Sequence, residues 1–102
     1  MKASNYHSRL AIGHERYLDF VQHDGNIIGA IEIHPSAKDG SQCQGGIFFD
    51  VSELPDTYLR GDGSRVTTWA VESWEPLTIS PSVLCGICGN HGFIRDGKWV
   101  IA

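Results

Sequence analysis

The sequence predicts a mainly β protein: a small single domain of antiparallel strands, spanning residues 1–102, with at most one short helix. Two features carry that reading. Four Asp-Gly dipeptides, Asp24-Gly25, Asp39-Gly40, Asp62-Gly63 and Asp96-Gly97, each suit a tight turn that needs positive φ. Between them lie runs of strand length, rich in β-branched and aromatic residues. With 102 residues, 41% of them hydrophobic, the chain supplies one core and not two.

Taken in order, Leu10, His14, Tyr17, Leu18 and Val21 fit helical spacing, but Gly13 and the Asp24-Gly25 turn favour a strand over Tyr17 to Gln22. The next run, Ile27 to Ile33, is apolar on both pleat faces, with Ile27, Gly29, Ile31 and Ile33 on one and Ile28, Ala30 and Glu32 on the other. A strand covered on both sides belongs in the middle of a sheet. Gly46 to Val51 and Arg65 to Trp74 give two further strands. Between them, Ser52 as a cap and Pro55 early in a turn allow one short helix before Leu59. Glu75-Pro76 and Ser80-Pro81 lack a backbone donor and place edge or loop backbone ahead of Cys85. Residues 75–102 then form a knuckle and a hairpin resembling half a zinc ribbon.

The chemistry of the chain concentrates in that segment. Cys85-Gly86-Ile87-Cys88-Gly89 brings two thiols to the C-x2-C spacing that lets both meet one ion, and Gly89 supplies the positive φ a knuckle needs after its second cysteine. Three cysteines cannot all pair, so a disulfide framework leaves a free thiol and reduced sulfur is the simpler reading. Thiolates and imidazoles suit zinc better than calcium or magnesium. A structural zinc needs four ligands, and the economical set is Cys43, Cys85, Cys88 and His91, with His34 in reserve beside Cys43. Unliganded thiols and a disulfide are the alternatives. A thioredoxin-like redox pair is disfavoured because Gly89-Asn90-His91-Gly92 is a poor helix start.

The same segment, from Glu75-Pro76-Leu77 and Ser80-Pro81-Ser82 through Cys85, Cys88 and His91-Gly92 to Arg95-Asp96-Gly97-Lys98-Trp99, resembles the ending of a family of short bacteriophage proteins abundant in phages of actinobacteria. The likeness covers about the last quarter of the chain. It implies a viral origin and a metal site, but no activity; the host cytoplasm is the place of action expected from a chain with neither an apolar span nor an apolar leader. In that family the region before the knuckle is often richer in cysteine, so Cys43 stands as a reduced second cluster and the third and fourth ligands stay open.

Other signals weigh less. Arg60-Gly61-Asp62 spells an adhesion tripeptide that three residues produce by chance, and none of the Asp-Gly loops starts on the acid an EF-hand requires. Phosphate-loop, nucleophile-elbow and H-E-x-x-H patterns are absent. His14, His23 and His34 lack visible partners, and no residue is assigned as catalytic. Trp69, Trp74, Trp99, Tyr17 and Phe48 read as core before they read as stacking platforms. A net charge of -4 and the lack of a long apolar run or an apolar leader in Met1 to Gly13 argue against strong nucleic-acid binding, a membrane span or secretion. The expected function is a non-enzymatic module with a structural zinc that binds a host or phage protein or a small ligand, with Arg95, Lys98 and Trp99 as contacts. Two rival readings are an anti-defence protein that sequesters a host signalling nucleotide or blocks a host immune protein, and a zinc enzyme with an open coordination position.

Overall fold

The computed structural model describes residues 9–58, 62–64 and 66–102. It is mainly β, as expected. The strands are β1 (Arg9–Gly13), β2 (Arg16–His23), β3 (Asn26–Pro35), β4 (Gln42–Phe49), β5 (Thr68–Trp74), β6 (Leu77–Ser80), β7 (Val83–Leu84), β8 (His91–Arg95) and β9 (Lys98–Ile101). The first six form one sheet in the order β1-β2-β3-β4-β5-β6, and the last three form a second in the order β7-β8-β9. No helix among the described residues is long and apolar enough to cross a membrane.

Two of the Asp-Gly pairs close two-residue hairpins. Asp24 and Gly25 both take positive φ, 51° and 78°, between the paired His23 and Asn26, and Asp96 and Gly97 do the same at 51° and 72° between Arg95 and Lys98. Positive φ at both centres gives the primed turn whose twist matches its strands. The other two pairs work differently: Asp39 and Asp62 keep negative φ and accept hydrogen bonds from Ser41 and Ser64, two residues on.

The strand expected over Tyr17 to Gln22 is present within β2, paired with β3 throughout and with β1 up to Asp19, so the helical spacing from Leu10 to Val21 belongs to the β1-β2 hairpin. Two sequence expectations need correction. The short helix shrinks to a 3-10 turn over Asp56–Tyr58, with Leu59 and the Arg60-Gly61 of the adhesion-type tripeptide outside the described residues. The sheet is also not wholly antiparallel: β4 and β5 run parallel, meeting only at Phe48↔Thr68 and Phe49↔Trp69.

β3 lies within the six-stranded sheet as predicted, but its more buried face is the polar one. Ala30, Glu32 and His34 point inward with Arg16 and Leu18 of β2 and Cys43, Ile47 and Phe49 of β4, while Ile31 and Ile33 are half-buried. The sheet curls around this face. Its opening is crossed by the small sheet, with β9 beside β1 and β8 beside β6, and the β8-β9 turn is tied to β6 by Gly97 N–H donating to the Leu77 carbonyl at 2.8 Å. Ile12, Leu18, Ile27, Ile47, Phe49, Leu77, Ile79, Ile94 and Trp99 fill the space between. The polar stretch of the inner face lies at the end of β3, where the knuckle closes over it.

Candidate metal centre

His34 and Cys43 are direct register partners across the antiparallel β3-β4 pair, so strand alternation places both side chains on the inner face. Cys85 and Cys88 arrive from the opposite side, in the connection between β7 and β8. That knuckle is shaped by Gly89 at φ 80°, by its N–H donating to the Cys85 carbonyl at 2.9 Å, and by Cys85 N–H donating to the Asn90 carbonyl at 2.8 Å. The donor atoms of His34, Cys43, Cys85 and Cys88 all lie within 4.8 Å of one another. His34 Nε2 is 3.3 Å from Cys88 Sγ, and Cys43 Sγ is 3.6 Å from Cys85 Sγ. Tetrahedral bonds of about 2.0–2.3 Å put neighbouring donors roughly 3.5–3.8 Å apart, so these four fit one ion.

The surroundings prepare the thiols unequally. Backbone N–H groups of Ala37 and Asn90 point at Cys88 and outweigh its burial, holding the thiol down at about 5. Burial pushes Cys85 up, but the N–H groups of Cys88 and Ile87 overcome it and leave that thiol below its ordinary range. Cys43 has burial and two neighbouring sulfurs against ionisation, and is pushed up to about 11. For His34, burial opposes the charged ring, yet hydrogen bonds to Glu32 and Cys88 hold its pKa above the ordinary value.

Behind the cluster runs a buried polar relay. His34 Nδ1 is hydrogen-bonded to Glu32, which leaves Nε2 directed at the sulfurs, and the other Glu32 oxygen accepts from Arg16 Nη1 at 2.5 Å. The Arg16 guanidinium in turn stacks 3.8 Å above the Trp99 ring. Arg16, Glu32 and His34 are only 5%, 2% and 3% exposed. A carboxylate behind a histidine fixes its tautomer and ring orientation, the arrangement that supports a ligating imidazole.

His91, expected as the fourth ligand, lies outside this cluster. It opens β8, whose alternation turns Gly92 and Ile94 inward and His91 out, where its Nε2 sits 2.8 Å from Ser82 Oγ. The reserve residue, His34, takes the position instead. Arg95 and Lys98 are also away from the cluster: they pair beside the β8-β9 turn, exposed, with Arg95 stacked on Phe93. Trp99, grouped with them from sequence, faces the interior under Arg16. His14 and His23 are exposed in or beside the first two turns.

Sequence reasoning missed Arg16, Glu32 and the Ala37 amide. One signal was available for Glu32, since Glu32-x-His34 on a strand puts both side chains on one face. Comparison with protein-family models, curated proteins and solved structures finds no match to the chain.

Proposed function

We propose that the chain is a non-enzymatic binding module whose C-terminal sheet is clasped to its main sheet by a structural zinc ion on His34, Cys43, Cys85 and Cys88. The observation that supports this most is the four-donor cluster itself, drawn in equal parts from the β3-β4 hairpin and the knuckle. Four protein donors around one ion leave no position for an activated water, which favours a structural ion over a catalytic one. Sulfur-rich, borderline-soft donors favour zinc among the divalent ions. The Glu32 carboxylate serves this role by orienting His34, not by acting on a substrate. The likeness of the C-terminal quarter to small proteins of actinobacterial phages makes a phage accessory protein, acting in the host cytoplasm on a host or phage partner, the setting we propose.

The test is metal analysis of untagged protein purified without added zinc. The expected result is one zinc per chain, with X-ray absorption showing three sulfur and one nitrogen neighbours. Protein that is folded, fully reduced and free of metal overturns the reading. A bound zinc with an oxygen neighbour in place of one sulfur turns it toward an enzyme.

A further inference from the structure

Next to the metal centre is a cavity of about 200 Å³. One wall is β4 and the other is β7 with the start of the knuckle. Over residues 42–47, β4 has a sheet partner on one side only, because β5 joins it no earlier than Phe48. β7 likewise pairs with β8 alone. Two strand edges therefore border the cavity with backbone donors and acceptors unpaired among the described residues.

At two glycines in these walls neither a positive φ nor a close approach calls for glycine. Gly45 and Gly86 keep negative or extended φ, and a Cβ built on either meets nothing within 4 Å. Gly29 and Gly92 differ, since a Cβ there would lie 2.4 Å from the Ile47 carbonyl oxygen or from Trp99. A glycine inside a strand costs stability for no conformational return at position 45. What Gly45, on the inner face between Cys43 and Ile47, preserves is empty space in the cavity.

At the inner end of the cavity stands Arg16. Among the described residues, Glu32 is the one acceptor within hydrogen-bonding distance of its side chain, and that contact uses a single nitrogen. The guanidinium carries five N–H donors, is almost fully buried and lines this cavity, and its contact with Glu32 uses one of those donors.

We infer that this cavity binds a neutral, planar, ring-sized group bearing an amide-like edge, with its carbonyl on Arg16 and its N–H on the unpaired edge of β4. Size sets the ring: a 150 Å³ apolar cavity accepts benzene, so about 200 Å³ takes one ring with a small substituent. A through-running peptide strand is excluded because the slot is closed at both ends, by the Cys43–Cys85 contact at 3.6 Å and by Trp69 Nε1 donating to the Ser82 carbonyl at 3.2 Å. Charge sets neutrality. Glu32 already balances Arg16, and three thiolates around a divalent ion leave net negative charge beside the cavity, which repels an anion. Apolar walls from Ile47, Val83 and Trp69 suit the ring faces.

This inference rests on the binding-module reading and names its ligand class. The experiment uses metal-loaded full-length protein, whose zinc content and folding are established first, so that absence of metal and absence of binding are separate results. Amide and indole NMR signals are followed during titration with benzamide, benzoate and toluene. Benzamide is expected to give saturable shifts at Gly45, Gly46, Gly86 and the Trp69 indole, with a Kd of about 1 mM or tighter. Benzoate and toluene are each expected to bind at least about ten-fold more weakly. Gly45→Val, which fills the cavity, should abolish benzamide binding while retaining zinc. Val83→Phe, which adds volume from the other wall, provides the same test. Lack of saturable shifts with benzamide, equal binding of benzoate or toluene, or undiminished benzamide binding by a folded, zinc-loaded cavity-filled variant each overturns the inference.

Discussion

The two sheets differ in how much apolar surface they bury. The large sheet contributes Ile12, Leu18, Ile27, Ala30, Ile47, Phe49, Leu77 and Ile79 to the buried cluster, whereas the small sheet contributes Val83, Ile94 and Trp99. Leu84, Ile87 and Ile101 stay more than half exposed. A three-stranded sheet with so little buried apolar surface is marginal by itself. On the proposed reading a metal ion on His34, Cys43, Cys85 and Cys88 would compensate by fixing the knuckle to β3 and β4, so that apolar burial holds one region and ligation the other.

The strongest way to break that comparison is to remove the metal. Structural zinc contributes on the order of 10–16 kcal/mol in small modules, comparable to the whole net stability of a domain this size. Chelation under reducing conditions should therefore collapse hydrogen-exchange protection in β7, β8 and β9 first. Residual protection is expected in β2 and β3. Uniform, unchanged protection in both sheets after complete zinc removal would show that the small sheet does not depend on ligation.

Acid should remove the ion by a second route. Cys88 has a folded pKa of about 5 against an ordinary 9.0, so its stabilising contribution is present above 9 and is lost as pH falls through about 5. Cys43 is shifted the other way, to about 11, and must give up a proton when the metal binds at neutral pH. A colorimetric zinc indicator should record release as pH approaches about 5. Complete release already at pH 7 would contradict the ligand assignment.

Ligand substitutions sharpen the comparison at the level of single residues. His34→Ala should weaken zinc binding by more than about 100-fold, and Glu32→Gln by about 10–100-fold through loss of imidazole orientation. His91→Ala, which removes the Ser82 hydrogen bond and the ring contact with Phe93, should change affinity by less than about two-fold. Competition with a chelator of known affinity gives the ranking. An equal loss for His91→Ala and His34→Ala would return His91 to the site.

Two tight glycines, one in each sheet, probe the comparison through packing alone. A Cβ at Gly29 would meet the Ile47 carbonyl oxygen at 2.4 Å, and one at Gly92 would meet Trp99 at 2.4 Å and the Val100 carbonyl oxygen at 2.6 Å. Each alanine substitution should cost about 1–3 kcal/mol by overpacking. Gly29→Ala should lower the global denaturant midpoint with or without zinc. Gly92→Ala should lower it mainly in the zinc-loaded protein, where the small sheet is formed.

Local chemistry in the sequence was enough to mark the β class, the hairpin turns at Asp24-Gly25 and Asp96-Gly97, the position of β3 within the main sheet, and Cys85 and Cys88 as neighbours. Each depends on residues close in the chain: a positive-φ dipeptide, a strand-length apolar run, a C-x2-C spacing with Gly89. Tertiary structure decided the rest. His91 sits three residues from Cys88 yet points away, because pairing with Leu84 fixes its side of β8. His34, distant in sequence from the knuckle, meets it because the β3-β4 register sets it opposite Cys43 and the curl of the sheet carries both under Cys85 and Cys88. Which face of β3 becomes the inner one was equally undetermined, since both faces read as apolar. Only closure by the small sheet buries the face with Glu32 and His34, where Arg16, the sulfurs and the neighbouring backbone amides stabilise groups that the hydrophobic pattern alone would leave outside.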